Sequence, residues 1–522
     1  VNSLYVLIFI ITLFGIMFTL KHNSQNIKHI FKIKSKKAKK ILLLIIIFAV
    51  ILRIIFPLVH TLLPDDFWLM EQGKNIVLKG QPINCIYKAD LSEDCFSFKS
   101  VGYPTLISFI ILIFGLNNLA ILIFNSILSV INIYLIFILT LKIFKSKNIA
   151  LWSAFIISLS HVFVITSNHV DNIIPAISFM LLSAIFLYSY KEELKNNSLA
   201  LLFFVLMILT RFEYFLLLLF PTLIYLKNIF KNNNEKIRSL YSLLIIGLII
   251  FISLFSIQFT SSINMHINQD RNDLLNENLF LFEEVKHTLN NFYFFQNTFN
   301  FLIYSLILII GLIISFKNKN NMLFLISSIP LIYFYLSFPS PHFKETFLII
   351  LIILNLYVAL GIDFIQKKIK NKKIIVFIII LLIFFSTQDI IKEKINLENN
   401  DLLMFNTEIF KEIKNINISS DCFVITERPP YIVSLKNLKG IRTLDIYEDE
   451  ELKTTVLNNC VLFFQNEFCY SKRGNIVSTN TDEIFKDSIS RCQQIKNTFQ
   501  LEDIFSLDKN NRIYKLSKLN LK

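Results

Sequence analysis

Two adjacent carboxylates, Asp65 and Asp66, stand immediately after an apolar run that ends in "HTLLP". A third acid, Asp171, closes the stretch "SLSHVFVITSNHVD", and Arg211 with Glu213 interrupts the apolar segment "LTRFEYFLLLLF". Farther along, "FPSPHFKETF" supplies His342 and Lys344. A carboxylate placed beside an acceptor hydroxyl can take its proton. A guanidinium binds phosphate oxygens two at a time through its planar fork. These residue types suit a displacement in which a base activates an acceptor while cations stabilise an anionic leaving group. Each has a plainer reading as well. Asp65 caps a helix whose stripe of Phe67, Met70, Lys74 and Val77 lies on lipid, Arg211 and Glu213 hold two broken helices together, and Lys344 snorkels from a span end. His161 and His169 read as hydrogen-bonding residues at the membrane interface.

The elements that must position these groups are membrane spans. Of 522 residues, 54% are hydrophobic and 53 are Phe, well above the apolar share of soluble domains. Apolar runs of the length that crosses a bilayer are read at about 4–20, 41–62, 117–141, 149–166, 172–190, 239–259, 298–316, 321–338, 346–365 and 374–390, with a broken pair inside 198–226. The fold class expected is a multi-pass α-helical membrane protein of about 11–12 spans, with a small C-terminal α/β domain. Residues 1–20 lack a basic leader and a small-residue cleavage site, so they read as a permanent span rather than a signal peptide. "GYPTLISFIILIFG" (102–115) is too short for a span and reads as an interfacial or re-entrant helix.

Every second connection is basic. The segments 21–40, 142–147, 191–197, 227–238, 317–319 and 366–373 hold 24 Lys and Arg against 3 acids, a net of +21 where the whole chain carries +14. These loops are expected in the cytoplasm, and the basic balance is topological, so nucleic acid is not expected as a partner. The loop 64–116 and the tail 392–522 are then extracytoplasmic, in a plasma-membrane protein. All six cysteines (Cys85, Cys95, Cys422, Cys460, Cys469 and Cys492) fall on that side, in a pattern suited to an oxidising compartment and unlike a zinc site. A Cys85–Cys95 disulfide is expected, and the three pairings of the other four stay open. Two domains follow, 1–391 in the membrane and 392–522 outside it. In the tail, 401–416 and 482–495 read as helices, 422–426, 431–435 and 460–464 as buried strands, and 505–517 as a terminal hairpin. Asn417-Ile418-Ser419 matches a glycosylation sequon. No phosphate loop or nucleotide-binding glycine pattern is present in the tail, and no nucleotide cofactor is expected.

Asp65-Asp66, Gly80 fifteen residues after Asp65, and "GYPTLISFIILIFG" together resemble the "DE…G" and "(G/P)-Y-P…LFG" blocks of the polytopic C-type glycosyltransferases. Within these the chain is most similar to protein O-mannosyltransferases and lipid A aminoarabinose transferases. The resemblance covers roughly 41–226. Beyond it, 227–391 follows the span layout, "HFKETF" resembles an "HKE-x-RF" block, and the tail is similar in kind only. The resemblance implies that Asp65 is the catalytic acid or base, that Asp66, which stands where the family often has Glu, supports it, and that Asp171 is the second-loop carboxylate. "LTRFEY" resembles the family's "LTK" or "LTR" stretch. Asp171, Arg211, His342 and Lys344 are then substrate-binding candidates. The function implied is transfer of a sugar from a dolichyl- or undecaprenyl-type phosphate to a protein or glycolipid acceptor at the outer face. A divalent metal on Asp65 and Asp171 would suit the chemistry, but no pattern here is specific enough to assign one. The alternative is a polytopic transporter with an intramembrane Arg on its path. The absence of a repeat between the halves and the clustering of polar groups at one face speak against it. A non-catalytic scaffold leaves the loop carboxylates without a role.

Overall fold

The computed structural model describes residues 2–55 except 23, 64–226 with short gaps, 298–316 and 348–368. In the tail it describes 421–426, 439–443, 449–465 and 479–517 with a short gap, plus a few isolated positions. The expected spans 239–259, 321–338 and 374–390, the loop 260–297, the helix 401–416, the strand 431–435 and the sequon's first two residues fall wholly or mainly outside the described residues.

The membrane layer begins with α1 (Asn2–His22), α2 (Ser24–Ile30) and α3 (Lys36–Ile55). It continues through α4 (Pro64–Lys79), a hairpin of β1 (Asn84–Tyr87) and β2 (Glu93–Phe96), and α5 (Gly102–Phe114). Then come α6 (Asn118–Phe144), α7 (Lys147–Leu159), α8 (His161–Thr166), α9 (Ile173–Tyr188), α10 (Leu194–Thr210), a 3-10 helix over Phe212–Leu218, α11 (Thr298–Phe316) and α12 (Leu348–Lys368). Among the described residues three helices, within α1, α6 and α12, are long and apolar enough to cross a bilayer. α9 packs between α6 and α10, and α12 packs between α7 and α11. The α11–α12 crossing is close because both helices present glycine. A Cβ on Gly311 would run into the carbonyl of Tyr357, and one on Gly361 into the carbonyl of Ile307, the small-residue contact by which membrane helices approach one another. On α1, Leu7, Ile11, Phe14, Met17 and Phe18 stay exposed on the outside of the bundle. That is the surface expected to face lipid.

One expected span differs in detail, and the break expected inside 198–226 is present. The 149–166 span is two helices, because Ser160 leaves helical geometry at ψ 117° and its hydroxyl accepts from the Phe163 N–H at 3.4 Å, capping α8. The 198–226 segment breaks after Thr210, where the chain passes into the 3-10 helix. α5, at 13 residues, is about 20 Å long, short of a hydrocarbon core about 30 Å thick. Its first turns are buried, while Leu112, Ile113 and Phe114 remain exposed.

The tail adds β3 (Phe423–Thr426), β4 (Lys439–Arg442), α13 (Asp449–Asn458), β5 (Val461–Gln465), α14 (Thr479–Thr498), β6 (Gln500–Ser506) and β7 (Arg512–Ser517). The sheet runs β2-β1-β4-β3-β5-β7-β6. Two of its seven strands come from the first outer loop: β1 lies parallel to β4, with Tyr87 opposite Ile441. Strand alternation gives the sheet two apolar faces. Phe423, Ile425, Ile441, Val461 and Phe463 pack with Leu452 and Val456 of α13 and with Ile495 of α14. Val424, Leu462 and Phe464 pack instead with Phe67 and Met70 of α4 and Tyr103 and Ile107 of α5.

The expected Cys85–Cys95 disulfide is present, joining directly opposed residues of β1 and β2. The tail pairs are Cys422–Cys460 and Cys469–Cys492. The first pair links the residues immediately before β3 and β5, which the parallel register already sets side by side. The 505–517 hairpin is β6–β7, with β6 starting earlier, at Gln500.

Candidate functional site

The site is organised by a polar stripe on a membrane helix. On α6, Asn125, Ser126, Ser129 and Asn132 recur at a spacing that keeps them on one face. They receive the turn between α8 and α9, whose carbonyls need donors inside the bundle. The Asn125 amide donates to the carbonyls of His169 (2.6 Å) and Asp171 (3.2 Å), and the Ser126 hydroxyl donates to that of Ser167 (3.2 Å). The Asn132 amide donates to the Ile174 carbonyl at 3.1 Å. This set of bonds fixes the backbone on both sides of Asp171.

Asp171 Oδ1 accepts from the Ile173 N–H at 3.0 Å, so the acid begins α9 and is held by it. The same carboxylate stands 3.8 Å from Arg211 Nη1. Arg211 also donates from Nη1 to Asn172 Oδ1 at 2.9 Å, lies 3.6 Å from Glu213 Oε2 through Nε, and stacks over Tyr214 at 5.6 Å. Among the described residues, one guanidinium is thus set between the carboxylates of Asp171 and Glu213, which together with it sum to a formal charge of −1. The break that carries Arg211 is clamped from the loop 64–116. Ser100 Oγ accepts from the Phe212 N–H at 3.2 Å, and a Cβ on Gly102 would lie 2.7 Å from the backbone nitrogen of Thr210. The "GYP" start of α5 therefore seats on the "LTR" break, and only a residue without a side chain fits there.

Asp65 and Asp66 occupy the first turn of α4, which begins at Pro64. That corrects the reading of Asp65 as the cap before the helix, and the first turn suits anions because helix dipoles converge there. The described residues include this backbone but not the two side chains. Phe67 and Val170, the immediate neighbours of Asp66 and Asp171, belong to one buried apolar cluster, which ties both acidic segments to the same side of the molecule. The stripe expected on lipid is corrected too. Phe67 and Met70 are fully buried, because α5 and the tail sheet cover them. His161 and His169 are likewise buried within the bundle. His342 and Lys344 lie outside the described residues. Among the described residues, the group of metal-ligand type Cys85, Glu93 and Cys95 has both sulfurs committed to a disulfide.

Two charged groups escaped the reading of the sequence. Arg53 is the lone charge inside the 41–62 run, and an ionisable residue within a span is itself a signal. Its guanidinium is buried on α3, donating from Nε to Ser129 Oγ (2.6 Å) and from Nη1 to the Ala49 carbonyl (3.0 Å). Glu71 on α4 is 2% exposed and accepts from the Cys85 N–H at 3.1 Å, joining the helix of Asp65 to strand β1. Burial pushes the Glu71 carboxyl up to about 7, against the opposing pull of that N–H and of Lys74 and Lys79. A carboxyl raised above its unfolded value of about 4.3 binds its proton more tightly in the folded state. Its stabilising effect is complete below pH about 4 and is lost as pH rises towards 7. Glu71→Gln, which keeps the acceptor for Cys85, is expected to raise the thermal midpoint at pH 8 by an amount worth up to about 3 kcal/mol. No difference is expected near pH 4, and a midpoint unchanged at both pH values would show that burial does not load this carboxyl.

The bundle, the acid-bearing helix after an early span and the sheet seated on it make up a fold that recurs in solved structures. A family model described as dolichyl-phosphate-mannose-protein mannosyltransferase matches residues 99–257, which include α5, Asp171 and Arg211. ArnT from Cupriavidus metallidurans, solved bound to undecaprenyl phosphate, aligns with a TM-score of 0.56 at 9% identity, over 91% of this chain and 97% of that one. The oligosaccharyltransferase of Archaeoglobus fulgidus, solved tethered to an acceptor peptide containing an NVT sequon, aligns at 0.53 and 11% identity over 93% and 74%. At such identities the likeness is one of fold. An uncharacterized protein of Aquifex aeolicus is 27% identical over 138 residues, a match that spans about a quarter of each chain, 26% in both cases.

Proposed function

We propose that this membrane protein is a glycosyltransferase that moves one sugar from a polyprenyl-phosphate donor to a protein or glycolipid acceptor on the extracytoplasmic face. The observation that carries the reading is the convergence of Asp171, Arg211 and the "GYP" clamp beside the helix that opens with Asp65-Asp66, in a fold shared with a transferase solved on undecaprenyl phosphate. The orientation rests on the basic loops, whose lysines at 21–40 lie at the α1–α3 connection while Asp65 follows the other end of α3.

In this reading Asp65 takes the proton of the acceptor hydroxyl or amine as that group bonds to the anomeric carbon, opposite the phosphate. The bond from that carbon to the phosphate oxygen breaks, its electron pair leaves with the polyprenyl phosphate, and the anomeric configuration inverts. Asp66 supports Asp65. Asp171 and Arg211 set the potential of the donor's seat, with His342 and Lys344 as further substrate contacts. Because the apolar cluster joins α4, α5 and the tail sheet, the tail holds the acid-bearing helix in place.

Purified full-length protein, incubated with a panel of undecaprenyl- and dolichyl-phosphate sugars and with peptide and glycolipid acceptors, is expected to release polyprenyl phosphate only when an acceptor is present. Absence of turnover across the panel, with movement of a lipid-linked sugar across proteoliposomes, would establish the transporter reading instead.

A further inference from the structure

Charge balance separates the two buried arginines. Arg211 already faces two carboxylates, whereas the polar partners of Arg53 are neutral: a serine hydroxyl, a backbone carbonyl and, 5.3 Å away, the ring face of Phe163. Arg53 is 5% exposed, and its Nη2 has no hydrogen-bond partner. A guanidinium held in the bundle with a donor unused and no counter-ion among the described residues is costly. Within a span such a charge marks a path for a charged substrate.

Its position is also specific. Ser129, the anchor of Arg53, lies one turn of α6 from Asn125, which holds the Asp171 backbone. One turn is about 5.4 Å, so Arg53 is attached immediately beneath the Asp171–Arg211 cluster on the same polar stripe. Another face of α3 is apolar and exposed, with Leu43, Leu44, Ile47, Val50, Ile51 and Ile54, so the helix that carries Arg53 borders lipid and a lipid-borne anion is the one that reaches this depth.

We propose that Arg53 binds a phosphate oxygen of the polyprenyl donor through Nη2, as a cation of the donor site that no carboxylate answers among the described residues. The inference rests on the glycosyltransferase reading for the identity of the lipid. Arg53 is a substrate-binding residue here, and Ser129 positions it.

The test is binding of three probes to purified full-length protein: undecaprenyl phosphate, undecaprenol and inorganic phosphate. The wild-type protein is expected to bind undecaprenyl phosphate at least tenfold more tightly than undecaprenol, and Arg53→Gln is expected to erase that difference without weakening undecaprenol. Arg53→Lys is expected to restore part of it. Retention of the full difference in Arg53→Gln would overturn the proposal, and inorganic phosphate binding as tightly as the lipid, and only with Arg53 present, would overturn the lipid assignment. Should Arg53→Gln not fold, Ser129→Ala keeps the charge but loses the Nε acceptor and is expected to weaken undecaprenyl phosphate severalfold. Unchanged binding in a folded Ser129→Ala together with unchanged binding in Arg53→Lys would equally overturn it. Sugar transfer surviving in Asp65→Asn would remove the base assignment while leaving the Arg53 result intact.

Discussion

Asp65→Asn is expected to lower the turnover of sugar transfer by roughly a thousandfold, within the range that loss of a general base brings. The apparent KM for donor and acceptor should change little. The substitution keeps the size of the side chain and replaces only the proton-accepting oxygen, so the protein should reach the membrane in normal amount with an unchanged thermal midpoint. Asp66→Asn should cost far less. Equal losses at the two positions would mean that the acids act as one unit, and undiminished turnover in Asp65→Asn would remove this residue from the chemistry. The expectation of normal folding has a structural ground. α4 is held by Phe67 and Met70 in the cluster with α5 and the tail, and by Glu71 on Cys85, contacts made by other side chains of the helix.

Arg211→Ala is expected to act through charge rather than shape. Removing the guanidinium leaves Asp171 and Glu213, with side chains 25% and 29% exposed, as two carboxylates without their shared cation. The local charge changes from −1 to −2, and a phosphate donor approaching to within about 7 Å meets an additional repulsion on the order of 2 kcal/mol at an effective dielectric near 20. The donor's apparent KM should rise roughly thirtyfold and the acceptor's much less, and Arg211→Lys should recover most of the loss. Equal rises for donor and acceptor, with a lowered thermal midpoint, would instead mark Arg211 as a structural clamp on Asn172 and Glu213.

The two predictions differ in how much of their basis was legible in the chain. Asp65, Asp171 and Arg211 stand out in the sequence because polar groups are rare in so apolar a chain, and a rare group at a span boundary is conspicuous whatever surrounds it. The break at Thr210-Arg211 was visible for the same reason. That Arg211 meets Asp171 and Asn172 was not visible, because the two segments are separated by α9 and α10 and no local spacing relates them. Arg53 was overlooked because one charge in a run of apolar residues does not prevent the run from reading as a span. Its neighbour Ser129 lies on another helix, and only packing shows that no carboxylate among the described residues answers it.

The tail shows the same division. β3, β5, the second tail helix and the terminal hairpin follow from local alternation and helical spacing. β4, with a sequence of Lys-Gly-Ile-Arg, carries no such signal and exists because β3 and β1 flank it. The stripe of α4 could be read as apolar, but what it faces could not. An amphipathic helix beside a membrane buries its face on lipid or on protein according to what else folds there, and here α5 and a sheet formed more than three hundred residues later cover it.

What the sequence determined by itself is what depends on one residue and its near neighbours: the transfer energy of each apolar run, the concentration of lysines in alternate connections, the restriction of cysteines to the loop 64–116 and the tail, and the presence of scarce ionisable groups beside the apolar runs. What only the tertiary structure decided is what depends on the meeting of distant segments. It paired the four tail cysteines, joined the 84–96 hairpin to the tail sheet, seated Gly102 on Thr210 and, among the described residues, brought Asp171 and Glu213 to Arg211 but no carboxylate to Arg53. The physical reason is that burial and periodicity are additive along a chain, whereas close packing, hydrogen-bond satisfaction and charge balance are properties of neighbours in space.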